Sequence, residues 1–290
     1  MFTIVRKELI APGVTLAEIV APKIARKRKA GQFVIVRFHE KGERIPLTIA
    51  DADPEKGTIT IISQRAGKST TLFENMRKEE GVIDVAGPLG HPTHIENYGN
   101  VVFLGGGIGI APIHPIAQAM KAAGNHVTTI LGGRTKEFVI LDDWMRAASD
   151  EVFISTDDGS YGVKGFVTDV LSNLAAEGRR FNFAVAIGPV PMMKAVATLT
   201  KKLDIPTIVS LNALMVDGTG MCGACRVTVG GETKFTCVDG PEFDGHKVDF
   251  VELLHRLRMF DEYGERAMKL YESEITNEGC IKKRIPDGDE

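Results

Sequence analysis

Cys222, Cys225 and Cys237 lie within sixteen residues of one another, in a segment that opens DGTGMCGACRV, 217–227. The chain's only other cysteine, Cys280, stands 43 residues beyond Cys237. Four cysteines in 290 residues do not make a disulfide framework. Such clustering favours a metal centre or redox chemistry. Asp217, five residues before Cys222, offers a carboxylate where a further thiolate would be expected. Gly218, Gly220 and Gly223 suit a loop folded tightly about a small anionic group, with amide N–H groups turned towards it. Three other uses of these residues stay open. A structural zinc could take three thiolates and Asp217, although Asp is uncommon in closed zinc sites. Cys222 and Cys225 could be a redox pair, which wants a helix N-terminus to lower the thiol pKa. Cys280 could supply the fourth ligand.

A second signal is the run GGGIGIAP, 105–112, after the apolar strand VVFLG. Gly105, Gly106, Gly107 and Gly109, with Ile108 among them, let a backbone approach a pyrophosphate closely. The following helix N-terminus presents unpaired N–H groups to it. Pro112 suits the first turn of that helix. This is not the ordinary dinucleotide fingerprint, because the second strand ends in Gly132, Gly133 and Arg134 rather than an acidic residue. Another turn, IGPVPMM at 187–193, contains Gly188, Pro189 and Met192 and follows a later strand. Two such turns at carboxyl ends of parallel strands can line one crevice. His91, His94 and His114 show no metal-ligand spacing and read as structural.

These residues need a scaffold, and the chain divides by texture. Residues 1–97 carry short β-leaning runs (FTIVRKEL, TLAEIVA, QFVIVRF, RIPLTIA, GTITIIS) between Gly, Pro, Asp and Lys clusters, as in an antiparallel β-barrel or sandwich. A helix is expected around Thr70–Lys78, and Lys23–Arg28 reads as a solvated hairpin edge. Residues 98–208 alternate strands and helices, which implies an α/β domain with a parallel sheet. Residues 209–250 hold the cysteines among short strands. A helical tail, 251–290, places Leu253, Leu254, Leu257 and Phe260 at helical spacing. A net charge of −3 with no long basic run argues against nucleic acid. The N-terminus lacks a signal peptide's apolar core and no stretch is long enough to span a bilayer, so a cytoplasmic protein without membrane attachment is expected.

Together RIPLTI (44–49), GPLG (87–90), GGGIGIAP and IGPVPMM resemble, in order and type, the ferredoxin–NADP⁺ reductase superfamily. With the cysteine module added, the chain is similar to two of its branches: electron-transfer subunits of dihydroorotate dehydrogenase, and small subunits of NADH-dependent reduced ferredoxin:NADP⁺ oxidoreductases. The resemblance implies an FAD-binding barrel in which Arg44 pairs with the pyrophosphate. Ile45, Pro46, Leu47 and Thr48 would run along the isoalloxazine, with Thr48 beside the reactive N5. Ile62, Ser63 and Gln64 would form a second flavin-contacting strand, and Gly67, Ser69 and Thr70 would hold phosphate oxygens. It implies a [2Fe–2S] cluster on Asp217, Cys222, Cys225 and Cys237, an Asp/Cys₃ departure from the usual four-thiolate rule. The aspartate matches the reductase branch; the dihydroorotate dehydrogenase branch normally has cysteine there and is the alternative.

The function implied is hydride transfer from NAD(H) to FAD and single-electron transfer to the cluster, within an electron-bifurcating complex. The partner implied is a larger subunit with its own flavin and [4Fe–4S] clusters, through which ferredoxin is reached. A non-catalytic redox sensor using Cys222 and Cys225 is the reading from another class. For the nicotinamide, Arg134 pulls towards NADP(H). Asp157 and Asp158, at the end of the next strand, would repel a 2′-phosphate, and with the resemblance they favour NAD(H).

Overall fold

The computed structural model describes residues 1–40 and 42–282, with side chains described through Ser273. Its first sheet contains β1 (Ile4–Ala11), β2 (Val14–Val20), β3 (Phe33–Arg37), β4 (Ile45–Asp53), β5 (Thr58–Gln64) and β6 (Asp84–Leu89). They lie in the order β1-β2-β5-β4-β3-β6, every pair antiparallel. The β-branched run of β5 is buried from Thr58 to Ser63, because the sheet is covered on both faces there. Among the described residues no ladder joins β1 to β6. The two ends meet at one antiparallel bridge, Phe2 with Val82, whose N–O distances are 2.6 and 2.8 Å.

Two helices belong to this half: α1 (Pro22–Lys27) and α2 (Lys68–Asn75). The first corrects the hairpin-edge reading of Lys23–Arg28. Pro22 starts a helix at its first position, Ile24 and Ala25 are buried, and Arg28 pairs with Asp51 at 3.3 Å. A run of positive charges concealed two apolar anchors.

From Asn100 the chain builds a second sheet. Its strands are β7 (Asn100–Gly106), β8 (His126–Gly133), β9 (Glu151–Thr156), β10 (Val163–Lys164), β11 (Phe183–Ile187) and β12 (Thr207–Ser210). Between them run α3 (Ile110–Ala122), α4 (Asp142–Ala148), α5 (Val167–Ala176) and α6 (Val190–Lys202). The order is β10-β9-β8-β7-β11-β12, all parallel, so the winding reverses between β7 and β11. The cysteine segment then adds a hairpin, β13 (Arg226–Val229) with β14 (Glu232–Phe235). Its last strand, β15 (Glu242–Asp244), joins the large sheet antiparallel to β12. Two helices follow, α7 (Phe250–Leu257) and α8 (Asp261–Lys282). No helix among the described residues is long and apolar enough to cross a membrane.

The cores do not respect the textural divisions. Phe33 and Ile35 of β3 share one apolar cluster with Met193 of α6, Cys225, Cys237 and Leu253. Leu16, Ala50 and Ile62 share another with Ile113 and Ile116 of α3. Two buried polar contacts fix these junctions. Thr93 Oγ1 donates to Glu242 Oε1 at 2.6 Å, and burial pushes the Glu242 carboxyl up to about 7. His114 Nδ1 lies 3.0 Å from the Ala50 carbonyl. A carbonyl only accepts, so Nδ1 carries the proton.

Burial holds the His114 imidazole below its ordinary value. The stability contributed by keeping it neutral is complete above the unfolded value of about 6.5 and is lost as pH falls through the lowered folded value. His114→Leu is expected to cost about 1–3 kcal/mol at pH 7.5 by orphaning the Ala50 carbonyl. It should also melt with a weaker acid dependence between pH 7.5 and 5.5 than the unmodified protein. Parallel melting curves for the two proteins across that range would contradict the assignment.

Candidate functional site

At the carboxyl ends of β7 and β11 the two glycine turns abut, since Gly105 and Ile187 are paired across the sheet. A Cβ on Gly109 would stand 2.3 Å from the Ile187 carbonyl oxygen. One on Gly106 would meet Met192 Sδ at 2.4 Å, and one on Gly188 would meet the same thioether at 3.0 Å. Met192 is thus wedged between the two turns, and side chains at these glycines would force them apart. Gly107 has φ +54 and open space where a Cβ would be. That combination leaves backbone amides free to face a ligand ahead of α3.

These turns open on a cavity of about 1500 Å³ that runs through all parts of the molecule. Its lining takes in Arg44, Ile45, Pro46, Leu47 and Thr48 at the start of β4, and Ile62, Ser63 and Gln64 at the end of β5. Thr70, Gly106 through Gly109, Arg134, Asp157, Gly188, Pro189, Met192 and Cys222 complete the predicted residues found there. Arg44 pairs with Asp84 at 3.4 Å, yet its Nε is buried without a partner, as are Ser63 Oγ and Ser155 Oγ. Buried polar atoms normally find partners, so orphans bordering a cavity mark places for ligand atoms.

Six predicted residues stand off the lining. Gly67 caps α2 and Ser69 lies in its first turn, where Ser69 Oγ donates to Glu43 Oε2 at 2.5 Å. Thr70 Oγ1 accepts from the Ala66 and Gly67 amides at 2.9 and 3.2 Å. Asp158 accepts from Ser160 N and Oγ at 2.9 and 2.7 Å, and those bonds hold its carboxyl below the usual range. Its backbone N–H donates to Arg134 O at 3.3 Å, which brings the two competing charges to neighbouring strand ends.

The other three, Asp217, Cys225 and Cys237, belong to the cysteine module. Cys225 and Cys237 are buried with sulfurs 3.2 Å apart. Burial, then the neighbouring Cys225, pushes the Cys237 thiol up to about 12. As thiols the two need no counter-charge, since Cys225 Sγ donates to Cys237 Sγ; as thiolates they would need a cation between them. Metal–sulfur bonds of about 2.3 Å hold two thiolates on one tetrahedral metal roughly 3.8 Å apart, close to what the fold provides. Cys222 is exposed, in a non-helical loop. Asp217 accepts from Thr219 N at 2.8 Å and Cys222 N at 2.9 Å, which holds its carboxyl low. Among the described residues these side chains do not yet converge on one metal-sized point. Cys225 and Cys237 are brought together, while Asp217 and Cys222 are joined to each other through the Cys222 N–H to Asp217 bond. Cys280 as a ligand lies outside the described side chains.

Residues 212–249 match the iron–sulfur cluster binding domain of dihydroorotate dehydrogenase B, and residues 103–198 match the oxidoreductase NAD-binding domain. A Thermotoga maritima protein, a homologue of the dihydroorotate dehydrogenase B (NAD⁺) electron transfer subunit, is 51% identical over 89% of this chain and 91% of its own. The chain belongs to the dihydroorotate dehydrogenase B electron-transfer subunit family. The corresponding subunit of Geobacillus thermodenitrificans is 34% identical, over 85% of this chain and 96% of its own. Among solved structures, one from the NADH-dependent reduced ferredoxin-NADP oxidoreductase, studied for flavin-based electron bifurcation, superposes with a TM-score of 0.89. It is 46% identical and covers 93% of this chain and 98% of that one. A ferredoxin–NADP⁺ reductase from Neisseria gonorrhoeae, 19% identical with a TM-score of 0.57 over 70% and 90% of the two chains, shares the fold. The protein is a nicotinamide-dependent, iron–sulfur electron-transfer oxidoreductase subunit.

Several lining residues escaped the sequence reading: Phe138, Phe166, Asn212, Arg226, Arg256 and Phe260. Only Phe166 carried a local signal. It occupies a helix N-cap, where Ser, Thr, Asp or Asn is preferred, and is 64% exposed. Arg256 and Phe260 reach the cavity through tertiary packing alone.

The abutting turns generate a direct test. Gly109→Ala should weaken NADH binding at least tenfold in a calorimetric titration, because the Ile187 carbonyl must retreat. Unchanged affinity in a folded variant would remove this turn from the binding site.

Proposed function

We propose that the chain carries FAD at the β4–β5 end of the cavity, a nicotinamide nucleotide at the β7–β11 crevice and a [2Fe–2S] cluster on the cysteine loop. On this reading it is the small subunit of an electron-bifurcating ferredoxin:NADP⁺ oxidoreductase. The observation that carries it is one cavity bordered by the flavin-type strand ends, by both glycine turns and, through Cys222, by the cysteine loop. When bound, the flavin would accept hydride from the nicotinamide and release electrons singly to the cluster.

The chain's own part is placement. Arg44 offers a forked guanidinium to a pyrophosphate, with its buried Nε as the unmatched donor. Ile45, Pro46 and Leu47 give an apolar wall, and Thr48 sets a hydroxyl at the reacting edge. Ser63 Oγ, buried and unpaired, supplies a hydrogen bond from the neighbouring strand end. Gly67, Ser69 and Thr70 attend the phosphates from α2, which requires Ser69 to exchange its bond to Glu43. Gly106, Gly107, Ile108 and Gly109 hold the nicotinamide's pyrophosphate, while Gly188, Pro189 and Met192 shape the opposite side. Asp217, Cys222, Cys225 and Cys237 would hold the cluster, with the carboxylate in the first place. The six-stranded sheet would serve as the flavin barrel, and the isolated Phe2–Val82 bridge between its two ends supports that reading.

The partner is a larger subunit with its own flavin and [4Fe–4S] clusters, and through it ferredoxin. Four cysteines leave this chain nothing with which to hold such clusters. The curated relatives' names favour a second reading, an electron-transfer subunit for dihydroorotate dehydrogenase. Asp217 argues for the first. A carboxylate is a harder donor than a thiolate, suited to ferric iron and to a shifted potential.

Purified protein should contain one FAD and two irons per chain and give the visible and electron paramagnetic resonance spectra of a [2Fe–2S] cluster. Cys237→Ala should lose that signal. Asp217→Cys should keep it at an altered potential. Flavin and iron both absent would end this reading, and an Asp217→Ala variant with signal and potential untouched would end the ligand assignment.

Asp157 lines the cavity and Arg134 lies across the adjoining strand end, so the ribose meets both charges. Rapid mixing should show faster flavin reduction by NADH than by NADPH. The double variant Asp157→Ala/Asp158→Ala should narrow the ratio. Faster reduction by NADPH in the unmodified protein would make Arg134 the determinant instead.

A further inference from the structure

The cysteine loop is held from outside by one side chain. Arg256, in the last turn of α7, sends Nη2 to the carbonyl oxygen of Ala224 at 3.0 Å. Ala224 sits between Cys222 and Cys225, so this bond ties the helix to the centre of the ligand-bearing turn. The helix is itself fixed. Asp249 caps it by accepting from Val251 N and Glu252 N, both at 3.0 Å. The Asp249 amide donates to Thr228 O of β13 at 2.9 Å, and Phe250 and Leu253 are buried. Arg256 is therefore presented from a rigid base.

Its charge has no ion-pair partner among the described residues, although Arg256 is half-buried and lines the cavity beside Cys222 and Gly223. Glu252, one turn earlier, does not serve, since its buried Oε2 has no hydrogen-bond partner. A half-buried guanidinium without a carboxylate is costly unless an anion meets it. A [2Fe–2S] cluster would be such an anion, because its two bridging sulfides and four anionic ligands outweigh the charge of two ferric irons, and one-electron reduction would add a further negative charge.

We propose that Arg256 is the clip and the counter-ion of the cysteine loop, a positioning residue that holds the Cys222–Cys225 turn and raises the reduction potential of the cluster bound there. The inference rests on the cluster reading above. The sign is fixed by electrostatics: a fixed cation favours the more negative, reduced form, so its removal lowers the potential. Arg226, which follows Cys225 and also lines the cavity, is exposed and has a smaller effect.

The test is a redox titration of the full chain, followed by electron paramagnetic resonance, for Arg256→Gln, Arg256→Lys and Arg258→Gln. Arg258 is exposed and does not line the cavity. Arg256→Gln should show a lower potential at full iron content, Arg256→Lys a smaller drop, and Arg258→Gln none. An Arg256→Gln potential equal to that of the unmodified protein, or equal drops in the Arg256→Gln and Arg258→Gln variants, would overturn the proposal. If Arg256→Gln loses its iron, Arg256→Lys decides. A lowered potential with the cluster kept supports the role, and an unchanged one refutes it. No cluster signal in the unmodified protein would instead sink the cluster reading itself, and this inference with it.

Discussion

The whole site depends on the closeness of two backbones where the large sheet reverses its winding. Gly109 lies so near the Ile187 carbonyl that a single Cβ would reach 2.3 Å, and Met192 fills the gap between Gly106 and Gly188. Open α/β sheets bind ligands in the crevice beyond such a switch point. Here the absence of side chains allows β7 and β11 to sit as adjacent strands while their following turns share one small volume. Everything else is arranged around it: α3 rises from one turn, α6 from the other, and the first sheet meets α3 through Ala50 and His114.

That arrangement explains why the cysteine module is no loose appendage. A one-electron carrier is useful only at a fixed short separation from its donor. β15 enters the large sheet beside β12, and Cys225 and Cys237 share a core cluster with Phe33 of the first sheet. Thr93 and Glu242 join the connecting segment to that added strand. The 217–222 loop is anchored in turn, with Gly218 buried against Ile35 and Leu89 and Asp217 accepting from Cys222 N, while the sulfur pair is set by packing.

Legibility from sequence followed the locality of the cause. The glycine turns were plain because strand, glycines and helix are consecutive, and their meeting could be argued from strand polarity. The flavin-type strand RIPLTI was legible only through the company of downstream motifs; taken alone it reads as a half-buried strand. Lys23–Arg28 misled because four positive charges outweighed Ile24 and Ala25, whose burial depends on β5 and β6. The attachment of residues 209–250 to the large sheet was not legible, because β15 pairs with β12 some thirty residues earlier, which no local pattern reports. Arg256 was invisible for the same reason: its partner, Ala224, is 32 residues away.

Charge gives the last link between fold and chemistry. The chain's net charge is −3, yet the cavity carries Arg44, Arg134, Arg226 and Arg256 against only Glu43 and Asp157, a local balance of +2. All four cations are arginines; among the described residues no lysine lines the cavity. Arginine stays charged at any accessible pH, sheds water more readily than an ammonium and presents a planar fork to paired oxygens. Behind them His114 is held neutral by burial, and Glu242, raised to about 7, carries only part of a negative charge at neutral pH. Fixed cations in a low-dielectric cleft focus attraction on anions entering from solvent. Four arginines on one shared cavity therefore suit it to anionic ligands such as pyrophosphates.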